Sequence, residues 1–169
     1  MPRIIAEDEI ESLFSETKPL PANWEARLKP RLKSGECNGK RTLDVTGYDD
    51  SKFRIHVRKN ELILLDFSLI LMFIDTDDQG YTLTRFNGKH PSGHTNKWER
   101  NRQLPNSFFR NVFHIHKATE RYQRDGLAID GYAEPTTKYA SFETALRAFV
   151  SGNGFEIDGS YSGLPLFNQ

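Results

Sequence analysis

The chain has 169 residues, with 23 Lys/Arg against 23 Asp/Glu and no formal net charge at pH 7. That is the size and composition of one folded domain with its own core, which excludes a disordered chain apart from the ends. A single cysteine, Cys37, cannot close an internal disulfide, and acids at Glu7, Asp8, Glu9 and Glu11 stand where a signal peptide needs an apolar core, so the expected compartment is the cytoplasm.

Ala6, Ile10, Leu13 and Phe14 recur at helical spacing with acids between them, which predicts an amphipathic helix over 6–16, ended by Thr17-Lys18-Pro19-Leu20-Pro21. Over 24–33 apolar residues (Trp24, Ala26, Leu28, Leu32) alternate with charged ones (Glu25, Arg27, Lys29, Arg31, Lys33), predicting a half-buried strand with Pro30 at a sheet edge. Asn38-Gly39 reads as a turn, 42–46 as a strand and 47–50 as the next turn. Phe53, Ile55 and Val57 then alternate with Arg54, His56 and Arg58 in a third strand.

Residues 62–74 are apolar on both faces and predict a central strand buried on both sides. Asp66 and Ser68 interrupt them, and the stretch falls short of the roughly 20 residues of a membrane helix, so no membrane partner is expected. A turn over 75–80 leads to a strand over 81–87, a long polar loop and a strand over 111–117. The closing helix spans 142–150, N-capped by Ser141 and stopped by Asn153-Gly154. Strands joined by turns, with helices at the ends, predict an α+β fold: a curved antiparallel meander of five to seven strands with an N-terminal and a C-terminal helix packed on it. Residues 1–159 are expected to form one globular domain and 160–169 a mobile tail.

The neutral total hides an asymmetry. Residues 85–124 hold nine Lys/Arg, two acids and four of the five histidines, so this stretch carries +7 and the rest −7. His114 and His116 fall on one strand face, roughly 6.6 Å apart at the backbone from two strand steps. Side by side, two imidazoles can serve as general base and acid or as two ligands of one metal. Arg85 and Asn87 leave the preceding strand on one face, and the glycines of the loop let His90 or His94 reach the pair. Lys89, Lys117, Arg121 and Tyr122 add groups able to contact a phosphodiester. Arg27, Lys29, Arg31 and Lys33 together with Arg54, His56 and Arg58 either form a basic track beside the histidines or guard an edge against aggregation.

The order of apolar strand, turn, strand ending in Arg85-Phe86-Asn87, histidine-bearing loop and closing helix resembles, over roughly residues 67–150, the TumE-type toxins of bacterial toxin–antitoxin pairs. The strand of that family ends in an Arg-Tyr-Asp-Asn-like motif followed closely by histidines. Arg85, Asn87, His90 and His94 are the matching positions. Phe86 stands for the tyrosine, the acidic member is missing, the histidines are spread out, and the His114-Ile115-His116 strand is not mapped onto the pattern. What the resemblance implies is RNA cleavage.

Three functions are therefore expected to compete. The first is a metal-independent endoribonuclease, bacterial or phage in origin, that needs no cofactor. Its catalytic residues would be His114, His116, Arg85, His90 and His94, and Asn87, Lys89, Lys117, Arg121 and Tyr122 would bind RNA. The second is a hydrolase with Zn²⁺ on His90, His94, His114 and His116. The third is a non-enzymatic module, such as an antitoxin, a phage-encoded inhibitor or an adaptor, that binds a protein partner through the 88–111 loop and its aromatics. The expected partners are RNA and a cognate antitoxin or other protein.

Overall fold

The structure is a computed structural model that describes residues 2–31 and 35–157. In chain order the elements are α1 (Glu7–Ser15), β1 (Lys18–Pro19), α2 (Trp24–Leu28), β2 (Asn38–Thr46), β3 (Lys52–Asn60), β4 (Phe67–Ile74) and β5 (Gly80–Asn87). They continue with β6 (His94–Thr95), α3 (Lys97–Asn101), β7 (Phe108–Phe109), β8 (His114–Lys117), α4 (Glu120–Arg124), β9 (Tyr132–Pro135), α5 (Phe142–Gly152) and β10 (Phe155–Glu156). The fold is α+β. Six strands form one antiparallel sheet in the order β2-β3-β4-β5-β8-β9, and between β5 and β8 the chain makes an excursion that forms the β6-β7 hairpin.

Strand periodicity sorts the side chains onto two faces. Leu43, Val45, Phe53, Ile55, Val57, Phe67, Leu69, Leu71 and Phe73 are buried on one. Against this face α5 lays Phe142, Ala145, Leu146, Phe149 and Val150, and α1 adds Ile10 and Leu13 to the same core. The ring of Phe67 stands 5.7 Å from Phe142, and Phe86 meets Phe149 at 5.4 Å. Helix α5 begins where its sequence places it, because Ser141 and Thr144 close a capping box. The ends of α1 and α5 are tied by Lys18, whose buried Nζ donates to the carbonyls of Phe14, Glu16 and Asn153 at 3.2, 2.8 and 3.0 Å. Burial lowers its pKa to about 8.

Several expectations are corrected. Residues 24–28 form a helix, not an edge strand: Trp24 and Leu28 are four apart as well as on one strand face, both are buried, and Glu25 pairs with Lys29 at 2.9 Å in the helical i,i+4 relation. Lys33 and Leu32 lie outside the described residues, as does the tail 160–169. Asn38-Gly39 opens β2, paired with Asn60 and Lys59, and is not a turn. Strand β4 is interior to the sheet but begins only at Phe67, and Leu62, Ile63 and Leu64 are exposed in the preceding turn. Nor is β4 buried on both sides, since Ser68, Ile70, Met72 and Ile74 are only half-buried. The long polar loop contains structure of its own, and β9 completes the sheet beyond the strand holding His114 and His116. Among the described residues no helix is long and apolar enough to cross a membrane.

Phe67 touches Phe113, Tyr139 and Phe142 at the centre of the aromatic core. Phe67→Ala is expected to cost about 3–5 kcal/mol, read as a lower urea midpoint with an unchanged m-value; a loss below about 1 kcal/mol would place the core elsewhere.

Candidate functional site

Antiparallel register builds the site. Arg85 pairs with His116 and Asn87 with His114, so four polar side chains stand as neighbours on the face of the sheet turned away from α1 and α5. Gly88 then lets the chain leave: a Cβ there would fall 1.7 Å from the carbonyl oxygen of Leu65. The excursion folds back over the four residues, bringing His90 and the β6-β7 hairpin, in which His94 faces Phe109, above them. The hairpin is fastened by Asn96, whose side chain takes the place of a strand neighbour to β9. Its Nδ2 donates to Ala133 O at 2.9 Å, and its Oδ1 accepts from Ala133 N at 2.9 Å.

All four histidines of the basic stretch converge. Ring centroids lie 5.2 Å apart for His90–His114, 5.9 Å for His94–His114, 4.6 Å for His94–His116 and 5.2 Å for His114–His116. Their hydrogen bonds assign the tautomers. Nδ1 of His116 faces Asp130 O at 2.8 Å and Nδ1 of His114 faces Val112 O at 3.0 Å, so both carry the proton on Nδ1. Each Nε2 is then a lone pair, and both accept from Asn87 Nδ2 at 3.3 Å. His94 is the reverse: Nε2 faces two acceptors, Asn96 Oδ1 and Gly131 O, both at 3.0 Å, which leaves the lone pair on Nδ1.

Arg85 supplies the charge. It binds the carboxylate of Asp130 at 2.6 Å, and its Nη2 stands 3.5 Å from His116 Nδ1, whose proton is already given to Asp130 O. Burial above all, with Arg85 and the neighbouring rings adding to it, pushes the His116 imidazole down to about 2; burial likewise takes His114 to about 4 and lowers His94. At neutral pH the paired imidazoles are therefore uncharged proton acceptors. Two buried atoms of the same centre, Arg85 Nε and Asn87 Oδ1, have no hydrogen-bond partner among the described residues. One is a cationic donor and the other an acceptor.

Other predicted residues are engaged elsewhere. Lys89 Nζ lies over the Phe113 ring at 5.0 Å. Lys117 follows His116 on β8, points to the opposite face and pairs with Glu134 at 3.3 Å. Arg121 and Tyr122 both bind the buried Glu99 at 2.6 Å, and the Arg121 guanidinium also lies against Trp98 and Tyr132. These contacts hold α3 to α4 and so anchor the excursion. Arg27 and Lys29 belong to α2 and its C-terminal cap rather than to a strand face. Sequence reasoning missed Asn96, Asp130 and Gly131. The only signal was the Asp130-Gly131 dipeptide, which reads as a turn. Gly131 is required because a Cβ would meet the Tyr122 ring at 2.6 Å.

Among the described residues no group of three or more His, Cys, Asp or Glu side chains is arranged to hold a metal ion. No family model, no curated protein and no solved structure matches the chain.

The buried imidazoles make folding acid-sensitive. Below the ordinary value of 6.5 an unfolded chain takes up protons that folded His114 refuses until about 4 and His116 until about 2. Stability is thus expected to fall as the pH drops from 6.5 toward 4, by up to about 1.4 kcal/mol per pH unit for each of the two. Urea unfolding across that window checks this, and a His114→Gln/His116→Gln variant is expected to flatten the decline.

Proposed function

We propose that this centre cleaves RNA by histidine acid–base chemistry that requires no metal, in the cytoplasm. The observation that carries the reading is the pair of unpartnered atoms beside imidazole lone pairs: Arg85 Nε–H suits a phosphate oxygen, and Asn87 Oδ1 suits a ribose hydroxyl. The net charge of +7 on residues 85–124 favours a polyanion, and the resemblance to TumE-type toxins points the same way.

His114 is only 2% exposed, so RNA reaches it when the excursion over 88–113 lifts from the sheet. His114 Nε2 then removes the proton of the 2′-hydroxyl, the 2′-oxygen attacks phosphorus, and the bond from phosphorus to the 5′-oxygen breaks. His90 gives that oxygen a proton, leaving a 2′,3′-cyclic phosphate and a free 5′-hydroxyl. The Asn87 contacts to the imidazoles are long at 3.3 Å, so an entering hydroxyl displaces them at little cost. A bound phosphodiester brings negative charge beside the rings and raises the His114 pKa from its depressed value toward the range of a useful base. Arg85 balances the charge that develops on phosphorus, and His116 and His94 hold the geometry.

A second reading, a module that binds a protein partner without catalysis, is favoured by Leu104 and Phe108, which stay 42% and 50% exposed on the excursion. Incubation with total RNA, with and without EDTA, separates the readings. Cleavage that survives EDTA and drops at least about 100-fold in His114→Ala and in His90→Ala is expected. Loss with EDTA would shift the case to metal chemistry, and no cleavage by the wild type would leave the binding module.

A further inference from the structure

Beyond the histidines, which the excursion covers, the same face of the sheet lies open over β4 and β3. Register lines up His114, Asn87, Ser68, Arg58 and Lys40 in one row across β8, β5, β4, β3 and β2, with His116, Arg85, Ile70, His56 and Thr42 in the next. Over β4 and β3 these rows stay open among the described residues: Arg58, His56, Ser68 and Ile70 are all half-buried, as is Met72 in the neighbouring row opposite Arg54, whereas the residues between them on the same strands are sealed in the core. The face runs from the cationic end at Arg85, over an apolar middle of Ile70 with Met72 beside it, to a second cationic end. There Lys40 and Arg58 from the face, with Arg41 from the opposite side of the edge strand β2 and Arg31 from outside the sheet, line an open cleft of about 820 Å³ in which Glu36 is the one carboxylate among the described residues. From His114 to Lys40 is four inter-strand steps of about 4.8 Å, roughly 19 Å.

We propose that this face is the platform for single-stranded RNA, which crosses the strands with its reacting phosphate at Arg85 and Asn87 and its flanking phosphates at Arg58 and Lys40. The inference rests on the RNA reading of the histidine centre and adds the form and direction of the substrate. Charge complementarity selects the occupant. A polyanion with flat bases matches cations at both ends of an apolar strip, and an open sheet accepts unstacked bases where a duplex would present only its backbone. Ion pairs on the face temper this attraction. Arg85 is shared with Asp130 at 2.6 Å, Arg58 with Asp66 at 2.5 Å and Arg54 with Asp44 at 2.7 Å, while Lys40 stands exposed at the β2 edge.

Fluorescence anisotropy with labelled 2′-O-methyl oligonucleotides, which bind but cannot be cleaved, tests the platform apart from the chemistry. Affinity of the wild type is expected to rise at least about tenfold from two to about eight nucleotides, in line with site sizes of about 4 nucleotides or more on single-strand-binding folds. Lys40→Glu/Arg58→Gln is expected to flatten that length dependence and to reduce the salt slope by about 1.4, the share of two phosphate contacts on a single strand. Lys40→Glu alone, at an exposed position, is expected to take about half of that slope and guards against misfolding of the double variant. Equal affinity for short and long strands, an unchanged salt slope in both variants, or tighter binding of a duplex of the same length would overturn the platform. If length-dependent binding appears but total RNA is never cleaved, the platform stands and the catalytic reading fails; if RNA is cleaved with no length dependence of binding, the catalytic reading stands and the platform fails.

Discussion

The turn at Asp130 and Gly131 holds the centre together. Its backbone carbonyls fix His116 through Nδ1 and His94 through Nε2, and its carboxylate binds Arg85, so one dipeptide orients three side chains from three different segments. A guanidinium beside two neutral imidazoles would otherwise be free to swing to solvent. Here the charge is held in place while the rings stay uncharged, the combination that proton transfer next to an anion requires. Asn87 completes the arrangement from the other side by donating to both Nε2 atoms. Its backbone carbonyl and that of His114 accept from the buried Tyr139 hydroxyl at 2.9 Å, so the floor of the site is tied to the aromatic core.

The excursion over residues 88–113 explains why polar side chains are buried on an otherwise open face. His114 and His116 are 2% and 4% exposed because the β6-β7 hairpin and Asn96 lie against β8 and β9. Its own anchor is separate: Glu99 receives Arg121 and Tyr122, and Arg121 lies between Trp98 and Tyr132. Residues that look like substrate ligands in the sequence thus act as fasteners for the element that carries His94. A buried carboxylate with two strong partners is costly to break, which keeps the hairpin in place.

Much of this is legible in the amino acids, for identifiable reasons. Strict alternation at Phe53, Ile55 and Val57 and the capped stripe from Phe142 to Val150 each have a single period, and both elements form where that period puts them. Trp24 and Leu28 fit both periods, and there the helix prevails. The apolar run at Leu62 to Leu65 misleads because hydrophobicity alone cannot tell a buried strand from an exposed turn, and its turn character comes from Asn60 Oδ1, which accepts from the amides of Leu62 and Ile63. The meeting of the four histidines follows from two strand-borne histidines on one face and a glycine-bearing loop long enough to return to them. Asp130 and Asn96 carry no such mark, because Asp130 sits in the turn before β9 and Asn96 bonds to Ala133 within it, and those four residues have no alternation to reveal the strand.

The central claim is that burial keeps His114 and His116 neutral, and that the backbone carbonyls of Val112 and Asp130 hold the proton of each ring on Nδ1. Long-range proton–nitrogen NMR of the histidine rings, followed from neutral pH downward, tests it directly. We expect both rings to show an Nδ1–H tautomer that persists through the interval from 6.5 to about 4, with His116 the last to titrate. Protons on Nε2, or titration of both rings near 6.5, would contradict the account.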